Sequence, residues 1–476
     1  LESAFRNPPF SSGVYTWWHW MNGNITKDGI TRDLEAMKAN GIAGYQLFEA
    51  GSGIPIGPVE SLSDEWVDLI LHTLKESERL GLEFAMHNCP GWSSSGGPWI
   101  TPDKAMQIIT WSETKITGGK QVRIQLPTPK HMFDYYIDTY CLAIPANMKV
   151  IPRLSILELS NRLDKDGVLT WDVPTGEWLI MRFGQTAKDQ KNKSAPSKST
   201  GLDCDKFSTE ALDYHLNCMF KRLMPAMEKI AKHSKIGLLI DSYETGDQDW
   251  TSDMPAYFEQ SHGYELYPFL PVLANKIVES EESTKRFLFD FRRVRADMFA
   301  ERYYGHFQKR CKEKGIITYT EPYGGNMMEE LQVAQQLDIN MGEFWCGQTV
   351  LWANYKYNRT VKQVASIAHT LGGKVVGAEA FTSEPDADKW LQYPYALKSL
   401  GDYMFTRGLS RIYFHRFAHQ PHPTAAPGMT MGAWGLHFDR TNTWWKPGKA
   451  WIEYLNRCQY IFQSSTFYGD ILYHNG

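Results

Sequence analysis

One pattern recurs along the chain and limits its fold more than any other feature. A segment of helical periodicity is followed by a Gly, then by a short apolar strand that ends in polar residues. Ile30, Leu34 and Met37 are spaced as one helix face. Gly41 suits a left-handed C-cap, and AGYQLFEA follows it, ending at Glu49. SLSDEWVDLILHTLKESERL opens with cap signals at Ser61 and Asp64, closes at Gly81 and leads into LEFAMHNCPGW. KRCKEKG precedes IITYTEPYGG, VKQVASIAHTLGG precedes KVVGAEAFTS, and YALKSLGDYMFTRG precedes LSRIYFHRFAHQPH. With VYTWWHWMNGN, IGLLIDSYE and LDINMGEFW the strand count reaches eight. Eight strands alternating with helices predict an α/β fold, a (β/α)8 TIM-type barrel. The rival, a doubly wound open sheet, has no support from a GxGxxG or P-loop motif.

The spacing has one large irregularity: the third and fourth strands lie about 150 residues apart. ITWSETKITGGKQVRIQLP alternates as strands do, and TWDVPTGEWLIMRFGQ reads as a hairpin turning at Pro174, Thr175 and Gly176. KDQKNKSAPSKSTG then reads as a polar linker or lid with little to bury. The expected organisation is a first barrel portion over 1–104, an inserted all-β module with linker over 105–200, and a second barrel portion over 201–476. One helix is expected over roughly 207–233.

Composition excludes several classes. The chain has 476 residues, 42% hydrophobic, ample for a large core. A net charge of -4 argues against a nucleic-acid partner, which would bring a basic stripe. No apolar stretch approaches the roughly 20 residues that span a membrane. The opening Leu1 suggests a processed or trimmed chain. The Cys residues are scattered without zinc spacing and read as buried free thiols. Aromatics make up 13% of the chain, which serves either a large core or sugar stacking.

In a (β/α)8 barrel the active site lies at the C-terminal ends of the strands. Those ends carry His19, Glu49, His87 with Asn88, Asp241 with Glu244, Glu321, Glu343, Glu379, and His415 with His419. Carboxylates crowded at one mouth repel unless a cation, protons or sugar hydroxyls offset their charge. Such a crowd suits glycoside hydrolysis, calcium or magnesium binding, or hydrogen bonding to sugar hydroxyls. Tyr243, Trp250, Trp345, Phe381 and the tryptophans of the first strand favour a sugar. A two-zinc amidohydrolase would want HxH on the first strand, which reads WWHW. Glu244 and Glu379 follow the fourth and seventh strands, from which many barrel glycosidases take their carboxyl pair, an analogy of fold position. Trp18 or Trp20 is expected to reach the pocket floor, and GWSSSGGPW with Trp99 to form a sugar-binding loop. Ser93 to Ser95 lack a nucleophile elbow. His87, His415 and His419 are expected to hydrogen-bond substrate or neighbouring carboxylates.

WWHWMNGNITKDGITRDLEAMKANGI, HNCPGWSSSGGPWITPDKAMQ, DSYETGDQDWT, GEFW, GAEAFTS and HQPHPTAAPGMTMGAWGLHFDRTNTWW together resemble glycoside hydrolase family 106, the α-L-rhamnosidases. The resemblance runs over nearly the whole chain. It implies a (β/α)8 catalytic domain, an inverting mechanism and a calcium ion that helps hold rhamnose. Carried onto this chain, it implies Glu244 as general acid and Glu379 as general base, with the reverse assignment open. It makes Glu343 a third carboxylate, as calcium ligand or water-positioning group, with Glu321 next and with Asn88 and Asp203 as further oxygen donors. Tyr243 and Glu321 join the expected substrate contacts. The resemblance also implies a rhamnose-containing glycan as partner and a secreted or periplasmic location. Family members continue into C-terminal β-rich domains, whereas this chain stops at FYGDILYHNG. Two other readings stay open: a barrel that binds sugar without cleaving it, and a barrel glycosidase of different sugar specificity.

Overall fold

The helices begin and end where short-range chemistry dictates. Thr26 caps the helix Lys27–Ala39, its hydroxyl accepting from the Gly29 N–H, and Gly41 follows at φ +84°. Ser63, not Ser61, caps the helix Asp64–Leu80, which ends on the left-handed Gly81. The computed structural model describes residues 2–51, 53–92, 95–346, 350–384, 389–432 and 434–473, with only the backbone of 350–358. In chain order its strands are β1 (Tyr15–Met21), β2 (Gly44–Ala50), β3 (Glu83–His87), β4 (Gln107–Thr117), β5 (Lys120–Gln125), β6 (Ile137–Pro145), β7 (Val150–Ile151) and β8 (Leu157–Glu158). There follow β9 (Val168–Val173), β10 (Glu177–Ala187), β11 (Ile236–Ile240), β12 (Ile277–Val278), β13 (Ile317–Thr320), β14 (Ile339–Cys346), β15 (Val376–Ser383) and β16 (Arg411–Ala418).

A closed barrel runs β1-β16-β15-β14-β13-β11-β3-β2, every neighbouring pair parallel. These are the eight strands expected from the sequence. Because side chains alternate along a strand, each barrel strand has an inner and an outer set. Tyr15, Trp17, Phe48, Ala85, Leu239, Tyr319, Met341 and Tyr413 pack together as the inner set. Trp18, Trp20, Tyr45, Leu47, Phe84, Met86, Leu238 and Ile240 face the helices. Each such fully buried side chain stabilises the fold by roughly 1.5–3 kcal/mol. The inner apolar layer closes the floor, so chemistry is confined to the layer above it.

Between β3 and β11 the chain is β-rich. β4-β10-β6-β8 form one sheet, and β5-β9 form a two-stranded ladder. Ile116, Val122, Cys141, Leu169, Trp171, Val173 and Ile180 fill the space between them. The turn at Pro174, Thr175 and Gly176 is therefore not a hairpin: β9 pairs with β5, while β10 pairs with β4 and β6. Alternation announces strands but does not name their partners. Nor is this region sealed off from the barrel. β7 pairs with β12, and Ile109, Leu142, Ile144, Met181 and Phe183 belong to the main core.

The polar segment after β10 is tied to the barrel rather than loose. Asn192 Nδ2 donates to the carbonyls of Pro90 (3.1 Å) and Ser199 (3.0 Å). The Trp92 N–H donates to the Lys193 carbonyl, and the Gly51 N–H to that of Ser194. The single helix expected over 207–233 is two, Thr209–Phe220 and Met224–Ala231, the second carrying Pro225 in its first turn. Among the described residues all seven cysteines are free, five of them buried, Cys458 half-buried and Cys218 exposed. No described helix is long and apolar enough to cross a membrane.

Candidate active site

One layer above the apolar floor, the inner face of the barrel changes from apolar to ionisable. The strand parity that points Tyr15 and Trp17 inward also points His19 inward. The same parity turns His87, Asp241, Glu321, Glu343, Glu379 and His415 into the mouth. Glu343 and Glu379 are register partners, as are Glu379 and Tyr413. One oxygen each from Glu321, Glu343 and Glu379 can be chosen so that all lie within 4.8 Å of one another.

Burial is the main influence on the proton affinity of these acids. The carboxyls of Asp241, Glu321 and Glu379 are all pushed well above the usual range, first by desolvation. Their neighbours add to this. Asp241 raises Glu321, and Glu343 raises Glu379, each by like charge. Hydrogen bonds offset part of the effect: the Ser242 N–H donates to Asp241 Oδ1 at 2.8 Å, Tyr323 Oη donates to Glu321, and Thr382 Oγ1 donates to Glu379.

The imidazoles around this layer are neutral. Burial lowers His87 to about 4 and His415 to about 3, and His19 well below its ordinary value. His87 Nε2 accepts from the Asp241 N–H at 3.4 Å, which leaves the proton on Nδ1, 2.7 Å from the Cys89 carbonyl. Both its nitrogens thus brace backbone. His415 Nδ1 stands 3.7 Å from Glu379 Oε1, beyond hydrogen-bond reach. Nδ1 of His19 and of His415 are buried without a hydrogen-bond partner.

Glu244 differs in kind. It sits on the loop after β11, its side chain 38% exposed and ion-paired with Lys193. That loop is fixed on two sides. Tyr243 Oη donates to the Gly246 carbonyl at 2.8 Å, and the Tyr243 N–H donates to the Tyr323 carbonyl. Gly324, at φ +116°, lies so close that an added Cβ would meet the Tyr243 carbonyl oxygen at 2.4 Å. Farther along, Gln248 Nε2 and Thr251 Oγ1 both donate to the buried Asp205, which burial raises to about 6. A cavity of about 660 Å³ opens here, lined by Lys193, Tyr243, Glu244, Tyr323, Glu343, Trp345 and Arg359 among others.

The structure brings Glu244, Glu321, Glu343, Glu379, His415 and Tyr243 to one mouth and sends other expected residues elsewhere. Trp18 points outward, and its Nε1 donates to Asp33 at 3.2 Å; Trp17 takes the inner place. His419 is fully buried behind the barrel wall, with Nδ1 donating to Asp33 at 2.8 Å. Glu49 also points outward and accepts from Ser61 Oγ at 2.7 Å. Trp99 donates to His215 Nδ1 at 3.3 Å and packs behind its loop. The Asn88 oxygen accepts from Ser95 Oγ at 2.7 Å and its amide donates to the Leu239 carbonyl, so Asn88 braces the loop. Asp203 pairs with the buried Lys206. Phe381 packs on Phe344 and Phe414 in the outer core. Ser93 and Ser94 lie outside the described residues. Sequence reasoning missed Lys193, Tyr323, Trp345 as a cavity wall, and Arg359.

The chain matches the family of alpha-L-rhamnosidases over residues 6–136 and 130–476. A curated protein of Formosa agariphila, named "Putative beta-glucuronidase", is 40% identical over 507 aligned positions, covering 100% of this chain and 43% of the relative. The chain thus spans less than half of that relative's length. Among solved structures, a rhamnosidase from Novosphingobium sp. PP1Y superposes with a TM-score of 0.89 at 24% identity, covering 97% of this chain and 60% of that one. That likeness concerns the fold. With its eight-stranded parallel barrel and the family match over nearly its whole length, the chain belongs to glycoside hydrolase family 106, the α-L-rhamnosidase family.

Proposed function

We propose that the barrel mouth hydrolyses a terminal α-L-rhamnoside from a glycan or glycoside, acting from the chain end and inverting the anomeric centre. The observation that carries this reading is the placement of Glu244 at the rim of a cavity that Glu343 also lines, with Glu379 buried as the register partner of Glu343. Glu244 stands where a leaving group departs to solvent, which suits a general acid once bound substrate parts it from Lys193. Glu379 lies deeper, where a water can be held against the opposite face of the sugar; a cation among the acids would draw off the proton that burial favours on it, as the role of general base requires. Thr382 holds the Glu379 carboxyl in place. His19 and His415, both neutral, offer nitrogens to sugar hydroxyls.

The donor set also fits a hard divalent cation such as calcium. Glu321 and Glu343 bring carboxylate oxygens close together, and Glu321 Oε1 is buried without a hydrogen-bond partner. A cation held there would neutralise the acidic layer and draw sugar hydroxyls to it.

A neutral deoxy sugar is favoured over a uronic acid. A glucuronide would add a further carboxylate to a layer whose four acids, Asp241, Glu321, Glu343 and Glu379, already need protons or a cation to offset them. The rim cations Lys193 and Arg359 are already paired, with Glu244 and Glu330. The β-rich segment between β3 and β11 is read as an insertion into the barrel that supplies Lys193 and the rim near Glu244. Secretion and action on rhamnose-bearing polysaccharide belong to the same reading.

Proton NMR of the first sugar released from an aryl α-L-rhamnoside tests it. The β-anomer as first product supports inversion; the α-anomer refutes it. Turnover of an aryl glucuronide but not of the rhamnoside would overturn the sugar assignment, and turnover of no glycoside would leave a binding barrel.

A further inference from the structure

Trp434 follows β16 in the chain and keeps 49% of its surface in solvent. A large aromatic left in water adds little to folding, yet the backbone beneath it is tightly held. Arg416 Nη2 donates to the Trp434 carbonyl at 2.8 Å. The Gly435 N–H donates to the Ser383 carbonyl at 2.9 Å, and the Leu436 N–H to the His415 carbonyl at 2.8 Å. Gly435 has φ +79°, and a Cβ there would stand 2.8 Å from His415 Nδ1. The turn therefore lies directly against the imidazole beside Glu379. The Trp434 ring meets Trp345 edge to face, with centroids 6.0 Å apart and planes at 87°. Trp345 in turn lines the cavity that holds Glu244 and Glu343.

A fixed, exposed indole continuous with the wall of a sugar cavity offers a flat face to the C–H groups of a pyranose. It borders that cavity through Trp345, which shares the lining with Glu244, the residue read as serving the leaving group. We propose that Trp434, backed by Trp345, is the platform for the leaving-group sugar, the pyranose to which the cleaved residue is attached. Trp434 is then a specificity-determining residue that selects glycan leaving groups over small ones. This rests on the glycosidase reading of the same mouth.

The test compares wild type, Trp434→Ala and Trp434→Phe on two substrates. α-L-Rhamnosyl fluoride has a leaving group too small to touch the platform; a rhamnosyl-glucose disaccharide fills it. Trp434→Ala is expected to lower kcat/KM on the disaccharide about tenfold while leaving the fluoride within about twofold, with Trp434→Phe retaining most of the disaccharide rate. Equal loss on both substrates, or no loss on the disaccharide, overturns the platform. If the wild type cleaves another glycoside but no rhamnoside, the rhamnose reading fails by itself, and the same pair built on that sugar decides the platform. A wild type that cleaves no glycoside overturns both.

Discussion

Glu343 on β14 and Glu379 on β15 are direct register partners in a parallel ladder, so their carboxyl groups stand side by side on the inner wall of the barrel. Glu321, one strand further round, closes the group to within 4.8 Å. Three buried acids at this spacing are stable only with protons or with a cation among them.

A divalent cation should therefore stabilise the fold as well as support turnover. Calcium at about 100 times its dissociation constant should add roughly 2.7 kcal/mol to the unfolding free energy, and a chelator should remove that gain. Glu343→Gln and Glu321→Gln should each weaken the response. Thermal unfolding with and without calcium and magnesium measures it directly; a melting temperature indifferent to both ions would refute the cation site.

Glu49 supplies a pH dependence independent of the mouth. Burial raises its carboxyl to about 7, while in the unfolded chain a Glu titrates at about 4.3. The folded state thus binds this proton more tightly than the unfolded state. The stability it supports is complete below the unfolded value and lost as pH rises through about 7. Glu49→Gln, whose amide oxygen can still accept from Ser61, should match wild type at low pH and exceed it at high pH. The excess should reach at most about 4 kcal/mol. Urea unfolding at pH values on either side of the window reads the difference; a gap that does not widen with pH contradicts the assignment.

Asp33 ties three parts of the barrel wall together. It accepts from Trp18 Nε1 (3.2 Å), His419 Nδ1 (2.8 Å), the Gln420 N–H (3.0 Å) and Arg440 Nε (2.7 Å). Asp33→Ala should cost about 3–5 kcal/mol, because it strands the buried donors and the guanidinium. His419→Ala should lower stability but leave KM unchanged. A large KM effect for His419→Ala in a normally folded variant would return that residue to the substrate site.

These two clusters show where the sequence was legible and where it was not. The alternation of helix, Gly and strand announced the barrel, because a period of 3.6 followed by a period of 2 is a local signal. Strand ends likewise announced Asp241, Glu321, Glu343 and Glu379. Which side of the wall a residue faces depends on parity, and a one-residue slip exchanges the two faces. Glu49 and Trp18 lie one position from the inward Phe48 and Trp17, so their place near a strand end suggests the mouth while parity turns them outward. Counting in twos from His19 would have found Trp17. His419 lies past the end of β16, where parity no longer applies. Lys193 gave no local signal: it reaches Glu244 across 51 positions of sequence, from a segment whose composition reads as a loose linker.

The most direct test of the two-carboxylate account is kcat on an aryl α-L-rhamnoside for wild type, Glu379→Gln and Glu244→Gln, each checked for an unchanged melting temperature. The account predicts that the wild type turns over and that Glu379→Gln and Glu244→Gln each lose about 10²- to 10⁴-fold, the span of general acid–base catalysis. A folded Glu379→Gln or Glu244→Gln variant that keeps wild-type kcat contradicts it.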